Sequence, residues 1–255
     1  MKKIAIFLSI ILLLCNVPVS AKAANPQMSQ NIRILFIGNS YTYYNNFCDI
    51  FENLCKSAGK TLYVRQAAKG RHTLKQASRT SDPLGRRIRR MLTTQKWDYV
   101  VLQERHNYPI RKPGRTEKGV KALEPYIRAA GAQMILYQTW APDKGNREYR
   151  RFSKLVSDRA DYQLKINNLF FNLAIETGAE VAPVGTAFLQ CQNAFPKIQL
   201  IRSDHSHPTW TGSYLAACVM YATIFDKSPE GLSYSGKLSA KRAAKLQKIA
   251  ALATL

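Results

Sequence analysis

Ser40, Asp204 and His207 are the residues here whose types and spacing suit catalytic chemistry. A serine hydroxyl is a weak nucleophile until a base within hydrogen-bond reach takes its proton, and the base needs a third group to orient it. Asp204 and His207 stand three positions apart in S-D-H-S-H-P. One short loop can therefore supply a carboxylate for one imidazole nitrogen and leave the other nitrogen to face Ser40. Pro208 biases the His207 backbone towards an extended shape. His205 is an alternative base in the same loop. Ser40 itself lies in F-I-G-N-S-Y-T, where Gly-Asn-Ser also reads as an ordinary turn that caps a helix. Asp204, His205 and His207 together suit zinc by ligand type. No further distant ligand is evident, so no metal and no cofactor are expected.

The elements that must position these residues follow from hydrophobic period. From Ile32 to Ile37 five of six residues are apolar, a short buried strand that Gly38-Asn39 ends. From Phe47 onward, Phe47, Ile50, Phe51, Leu54 and Cys55 recur at helical spacing. Ser40 thus sits on a strand-to-helix turn. Further strands are predicted over 61–66, 97–103, 133–138 and 180–184. Helices are predicted over 83–93, from 116 or 121 to 130, over 153–177, 212–225 and 239–251, with a basic loop before Gly119 and a long loop over 198–211. Asp82 caps the helix that Pro83 begins, and Gly178 stops the one before it. Strands alternating with helices five times predict a doubly wound parallel α/β sandwich. Its strand carboxyl ends share one edge, so Ser40 after strand one, Gly70 after strand two and the Asp204–His207 loop can meet there.

The chain has 255 residues, 46% of them apolar, which suits one α/β domain over 32–255. Lys2 and Lys3, the apolar run 4–14 and Ala21-Lys22-Ala23 read as a signal peptide over 1–23, followed by a linker over 24–31. No later run is apolar enough to span a bilayer, and the expected location is secreted or periplasmic. The formal net charge is +22; Lys2, Lys3 and Lys22 account for three of these charges, leaving +19 after cleavage. Such a surplus predicts attraction to an anionic polymer or lipid surface. Finger spacings and aromatic RNA-binding patterns are absent, so no nucleic-acid partner is expected. Cys48, Cys55, Cys191 and Cys218 fit buried free thiols. Tyr41, Tyr43 and Tyr44 flank the serine, Trp140 follows strand four as a stacking platform or a packing residue, and Arg105, Arg111, Lys112 and Arg115 follow strand three.

The two blocks F-I-G-N-S-Y-T and S-D-H-S-H-P, with W-T-G-S-Y-L-A-A after the second, resemble the SGNH/GDSL hydrolase superfamily of serine esterases over about residues 32 to 228. The resemblance implies a three-layer α/β/α sandwich with a five-stranded parallel sheet (SGNH/flavodoxin-like). It implies Ser40 as nucleophile, His207 as general base and acid, and Asp204 as its orienting carboxylate. It also implies an oxyanion hole of the Ser40 N–H, the Gly70 N–H and an asparagine side chain. The family's G-x-N-D block is replaced here by V-V-L-Q-E-R-H-N-Y, which leaves Asn107 or Gln103 for the last donor. Tyr41 and Trp140 are expected at the substrate. The activity implied is cleavage of an ester, an acetyl ester on a glycan first, with a lipase or lysophospholipase as the in-class alternative. A non-catalytic protein of this fold that binds acidic polymers is the reading outside that class.

Overall fold

The computed structural model describes residues 31–255; the expected signal peptide over 1–23 and the linker up to residue 30 lie outside the described residues. Five strands form one parallel sheet: β1 (Ile32–Gly38), β2 (Leu62–Ala68), β3 (Tyr99–Gln103), β4 (Gln133–Tyr137) and β5 (Glu180–Ala182). Between them run α1 (Ser40–Tyr43), α2 (Phe47–Ser57), α3 (Leu74–Ala77), α4 (Pro83–Thr94), α5 (Tyr108–Arg111), α6 (Pro113–Ala129), α7 (Glu148–Arg151) and α8 (Arg159–Thr177). After β5 come α9 (Val184–Ala194), α10 (Trp210–Phe225) and α11 (Ala240–Thr254).

The strand order is β2-β1-β3-β4-β5. The chain leaves β1 towards one edge and returns to build towards the other. A crevice opens at the carboxyl end where such a reversal occurs, between β1 and β3. Ser40 follows β1 and Asn107 follows β3, so both stand at that crevice.

Period-two alternation sends the strand side chains to two cores. Ile34, Phe36, Val101, Ile135 and Tyr137 pack against α2, α9, α10 and α11. Leu35, Ile37, Val100, Leu102 and Leu136 pack against α3, α4, α6 and α8. Helices on both faces give the three layers. Buried on both faces, the strands read as continuous apolar runs, as central parallel strands do. Helix α10 is apolar all round: Gly212 to Ala222 are all buried beneath α2, α9 and α11.

Several boundaries differ from expectation. Helix α6 begins at Pro113, within the expected basic loop. Proline suits a first helical turn because its missing N–H would have no intrahelical partner there. Helix α8 begins at Arg159 rather than at residue 153, because the Asp158 carboxylate accepts the Asp161 N–H and caps the helix there. Helix α9 is an addition inside the stretch after β5, where no helix was expected. Cys48, Cys55, Cys191 and Cys218 are unpaired, and all but half-buried Cys48 are buried. Among the described residues no helix is long and apolar enough to cross a membrane.

Candidate active site

Ser40 is the first residue of α1, set there by Gly38 and Asn39. A Cβ on Gly38 would lie 2.3 Å from Thr42 Oγ1 and 2.7 Å from Gln103 Oε1, so the turn admits no side chain. Asn39 is buried and joins three loops. Its side-chain oxygen accepts the Tyr41 N–H (3.2 Å), its amide donates to the His72 carbonyl (3.0 Å), and its N–H donates to Gln103 Oε1 (3.0 Å).

The loop between α9 and α10 brings its groups to that turn. Asp204 Oδ1 accepts the N–H groups of Ser206 and His207 at 2.9 Å each, which curls the loop around the carboxylate. Asp204 Oδ2 lies 2.8 Å from His207 Nδ1, and His207 Nε2 lies 2.9 Å from Ser40 Oγ. With Nδ1 protonated, Nε2 accepts the Ser40 hydroxyl proton. Burial tends to raise the Asp204 carboxyl, but the two N–H donors and the imidazole outweigh it and hold the group below the usual range. Tyr44 stacks on the imidazole with ring centroids 4.2 Å apart, and Tyr41 meets it edge-on at 5.5 Å. Asn45, in the left-handed region at φ 56°, donates to the Pro208 carbonyl and to Ser213 Oγ, tying the serine turn to the histidine loop.

His205 lines the same cleft but makes no hydrogen bond to Ser40. It is in the left-handed region at φ 59°, and its ring lies on Gly145, where a Cβ would be 2.5 Å from Cε1. The alternative base is therefore not the one at the hydroxyl.

The residues expected around the oxyanion part company. Asn107 is only 6% exposed and lines the same cleft as Ser40. Its amide nitrogen donates to Glu148 Oε1 at 2.6 Å, while its Oδ1 has no partner. The carboxylate fixes which end of the amide is nitrogen, and one N–H remains free. Gln103 does not fit the donor role. Its Oε1 accepts from Asn39 and Thr42, and its Nε2 donates to the Glu104 carbonyl, so both ends are used inside the fold. Gly70 lines the adjoining cleft rather than that of Ser40, and the neighbouring Arg71 lines both. The N–H groups of Ser40, Gly70 and Arg71 meet no protein acceptor among the described residues.

Tyr41 and Trp140 are corrected as substrate contacts. They are 2% and 1% exposed and belong to one stack: His106, Tyr41, Trp140 and Phe188, with successive centroids 5.4, 4.5 and 4.2 Å apart. Their polar tips serve the histidine loop, Tyr41 Oη pairing with Ser206 Oγ (2.7 Å) and Trp140 Nε1 donating to the Ser206 carbonyl (3.0 Å). The rings leave no face open to a ligand; they support the loop that carries His207.

The cleft around Ser40 holds about 630 Å³. Arg71, Arg105, Arg111, Arg147 and Arg151 line it, and no aliphatic side chain does. Glu148 also lines it, accepting from Asn107, from Tyr162 (3.0 Å) and at 3.1 Å from His106 Nε2. Burial would raise its carboxyl, but these partners, His106 foremost, hold it low. Sequence reading missed Glu148, Arg147 and Arg151 because they sit in a charged stretch with no period or motif. Tyr44 was expected beside the serine, and Asn45, which was missed, left one faint signal, its place in the polar run that follows.

No protein-family model matches the chain, and no curated protein matches it. Among solved structures, a provisionally assigned SGNH hydrolase from Slackia heliotrinireducens is similar at 29% identity and TM-score 0.68, covering 76% of this chain and 100% of that one. A DUF4886 family protein from Bacteroides uniformis is similar in fold at 18% identity and TM-score 0.72, covering 87% and 93%. The esterase EstA from Pseudoalteromonas sp., solved inhibited by monoethylphosphonate, is similar in fold at 17% identity and TM-score 0.55, covering 77% and 98%.

Proposed function

We propose that this chain, which shares its fold with the SGNH hydrolases, is an exported serine esterase that removes a short acyl group, an acetyl first, from a glycan. The observation that carries the reading is the run of two short contacts, Ser40 Oγ to His207 Nε2 at 2.9 Å and His207 Nδ1 to Asp204 Oδ2 at 2.8 Å.

The chemistry follows from those atoms. The Ser40 oxygen attacks the ester carbonyl as its proton passes to His207 Nε2. The imidazolium forms beside the Asp204 carboxylate, which stays ionised and holds the ring. The carbonyl oxygen becomes an oxyanion that the Ser40 N–H and the free N–H of Asn107 can meet, with Gly70 or Arg71 offering a third N–H. Nε2 then gives its proton to the departing alkoxide. Water, deprotonated at the same nitrogen, attacks the acyl-serine; the bond to Ser40 Oγ breaks, the carboxylic acid leaves, and Nε2 returns the proton to the serine oxygen.

A short acyl group is favoured because no aliphatic side chain lines the cleft, which leaves only arginine stems and histidine rings to meet the chain of a lipid ester. The basic walls favour a polar, charged leaving group over a hydrocarbon one.

The test is hydrolysis of an aryl acetate together with labelling by a fluorophosphonate. Wild type should be labelled once, at Ser40, and Ser40→Ala should lose the label and at least about 10³-fold in kcat/KM. Equal turnover by the two proteins would end the esterase reading. Absent labelling of a folded wild type would favour a binding protein.

A further inference from the structure

The cleft of Ser40 does not stand alone. A second cleft of about 610 Å³ lies beside it on the carboxyl edge, and Arg71 and Arg105 line both. Lys69, Lys75, Arg79 and Arg115 line its remaining walls. With Arg111, Arg147 and Arg151 in the first, nine cationic side chains border one continuous surface.

Among the described residues these charges have no ion-pair partners, and only Arg105 and Arg151 lie over aromatic rings, those of Tyr108 and Phe152. No carboxylate oxygen lies within 4.0 Å of a charged side-chain nitrogen of any of the nine among the described residues. The acids that share the clefts are occupied elsewhere. Asp82 caps α4 and pairs with His72, Asp204 holds His207, and Glu148 holds Asn107 and His106. Crowding is felt within the second cleft: partial desolvation first, then the charges of Arg79, Lys118 and Arg115, hold the Lys75 ammonium below its usual range. Like charges gathered without anionic partners repel one another, and a bound anion would relieve that repulsion. Guanidinium groups suit carboxylate and sulfate because their planar forks donate two parallel N–H groups.

We infer that the second cleft is a subsite for an acidic unit of a polymeric glycan, which the Arg71–Arg105 divide places next to the unit presenting its ester at Ser40. This rests on the esterase reading for the role of Ser40, but the acidic subsite itself can be observed without turnover. A glycan fits better than a lipid surface. Tyr108 is the only large ring or aliphatic side chain lining either cleft other than histidine, and the exposed large aliphatics lie on α8 and α11 or within a few residues of their ends. An anionic headgroup would reach the basic walls with only the Tyr43–Tyr44 pair beside Gly70 and His207, and no aliphatic rim, to seat its chains.

The experiment compares wild type with the triple variant Lys75→Gln, Arg79→Gln, Arg115→Gln, each also carrying Ser40→Ala for binding. With unacetylated polygalacturonate as probe, the triple variant should bind at least about tenfold more weakly at low salt. Rising sodium chloride should weaken wild-type binding more steeply than the variant's. With Ser40 intact, the ratio of kcat/KM on acetylated polygalacturonate to that on an aryl acetate should fall by a similar factor. Dextran sulfate run in parallel tells carboxylate from sulfate, the tighter-binding polymer naming the acidic group. Equal binding of both polymers by a triple variant whose melting temperature matches wild type would overturn the subsite. So would loss of binding to phosphatidylglycerol vesicles with polymer binding unchanged. If aryl acetate is not turned over while the binding difference stands, the esterase reading fails and the acidic subsite survives.

Discussion

Asn107 shows how one side chain can be bound by its neighbour to a single orientation. An asparagine amide can turn end for end at little intrinsic cost, and only its nitrogen end can donate to an oxyanion. The Glu148 carboxylate at 2.6 Å removes that freedom, since turned over the amide would set oxygen against oxygen. His106 and Tyr162 hold the carboxylate in place. Asn107→Ala should lower kcat for an aryl acetate by about 10² to 10³-fold with little change in KM, the signature of a contact made in the transition state. A loss confined to KM, or no loss, would remove Asn107 from the oxyanion role and leave backbone N–H groups alone to fill it.

At the scale of elements, the site depends on the ends of β1, β2 and β3 being knotted together. Asn39 does part of this, and Glu104 does the rest. Glu104 is fully buried at the end of β3, where its carboxylate accepts the Arg105 N–H at 2.6 Å and, more weakly, the Leu74 N–H that opens α3. Burial pushes its carboxyl up from 4.5 to about 7, against the pull of those donors. Between these values the folded chain keeps a proton that the unfolded chain has released. Stability therefore falls as pH rises from about 4.5 to about 7, and stays lowered above that. Glu104→Gln is neutral throughout. It should flatten this part of the profile and add roughly 1 to 3 kcal/mol relative to wild type at about pH 8, with less gain at about pH 5. Urea midpoints at the two pH values measure it; an equal difference at both would show that Glu104 does not titrate in this window.

For the whole molecule the dominant quantity is charge, +22 over the full sequence. Among the described residues few cations are paired, and the ion pairs of lysine and arginine that do form lie on α6, α8 and the loop before α7. Self-repulsion on this scale works against the compact state and is screened within about 10 Å at moderate salt. Raising sodium chloride from about 20 to about 300 mM should therefore raise the melting temperature by a few degrees. The same salt should weaken the attraction of an acidic polymer. Stability and binding would move in opposite directions, and a melting temperature indifferent to salt would show that the positive field is already neutralised locally.

Much of what depends on order along the chain was readable before any coordinates, although α9 and the starts of α6 and α8 were not. Apolar runs and helical spacings carry the alternation of strands and helices, since burial on two faces leaves a pattern in residues that are neighbours or nearly so. The Asp204–His207 spacing and the Gly38-Asn39-Ser40 turn belong to the same kind of information. Contact across the chain does not. Whether Gln103 or Asn107 offers a free N–H depends on partners that come from other loops, Asn39 and Thr42 for one and Glu148 for the other. Tyr41 and Trp140 have the same residue types whether open to solvent or closed inside a stack with Phe188, and only packing distinguishes the two. The basic surface is likewise assembled from α3, α5, α6, α7, the residues just after α3 and just before α7, and the loops after β2 and β3, segments that share no motif and become one feature only when a parallel sheet brings its carboxyl ends to a common edge.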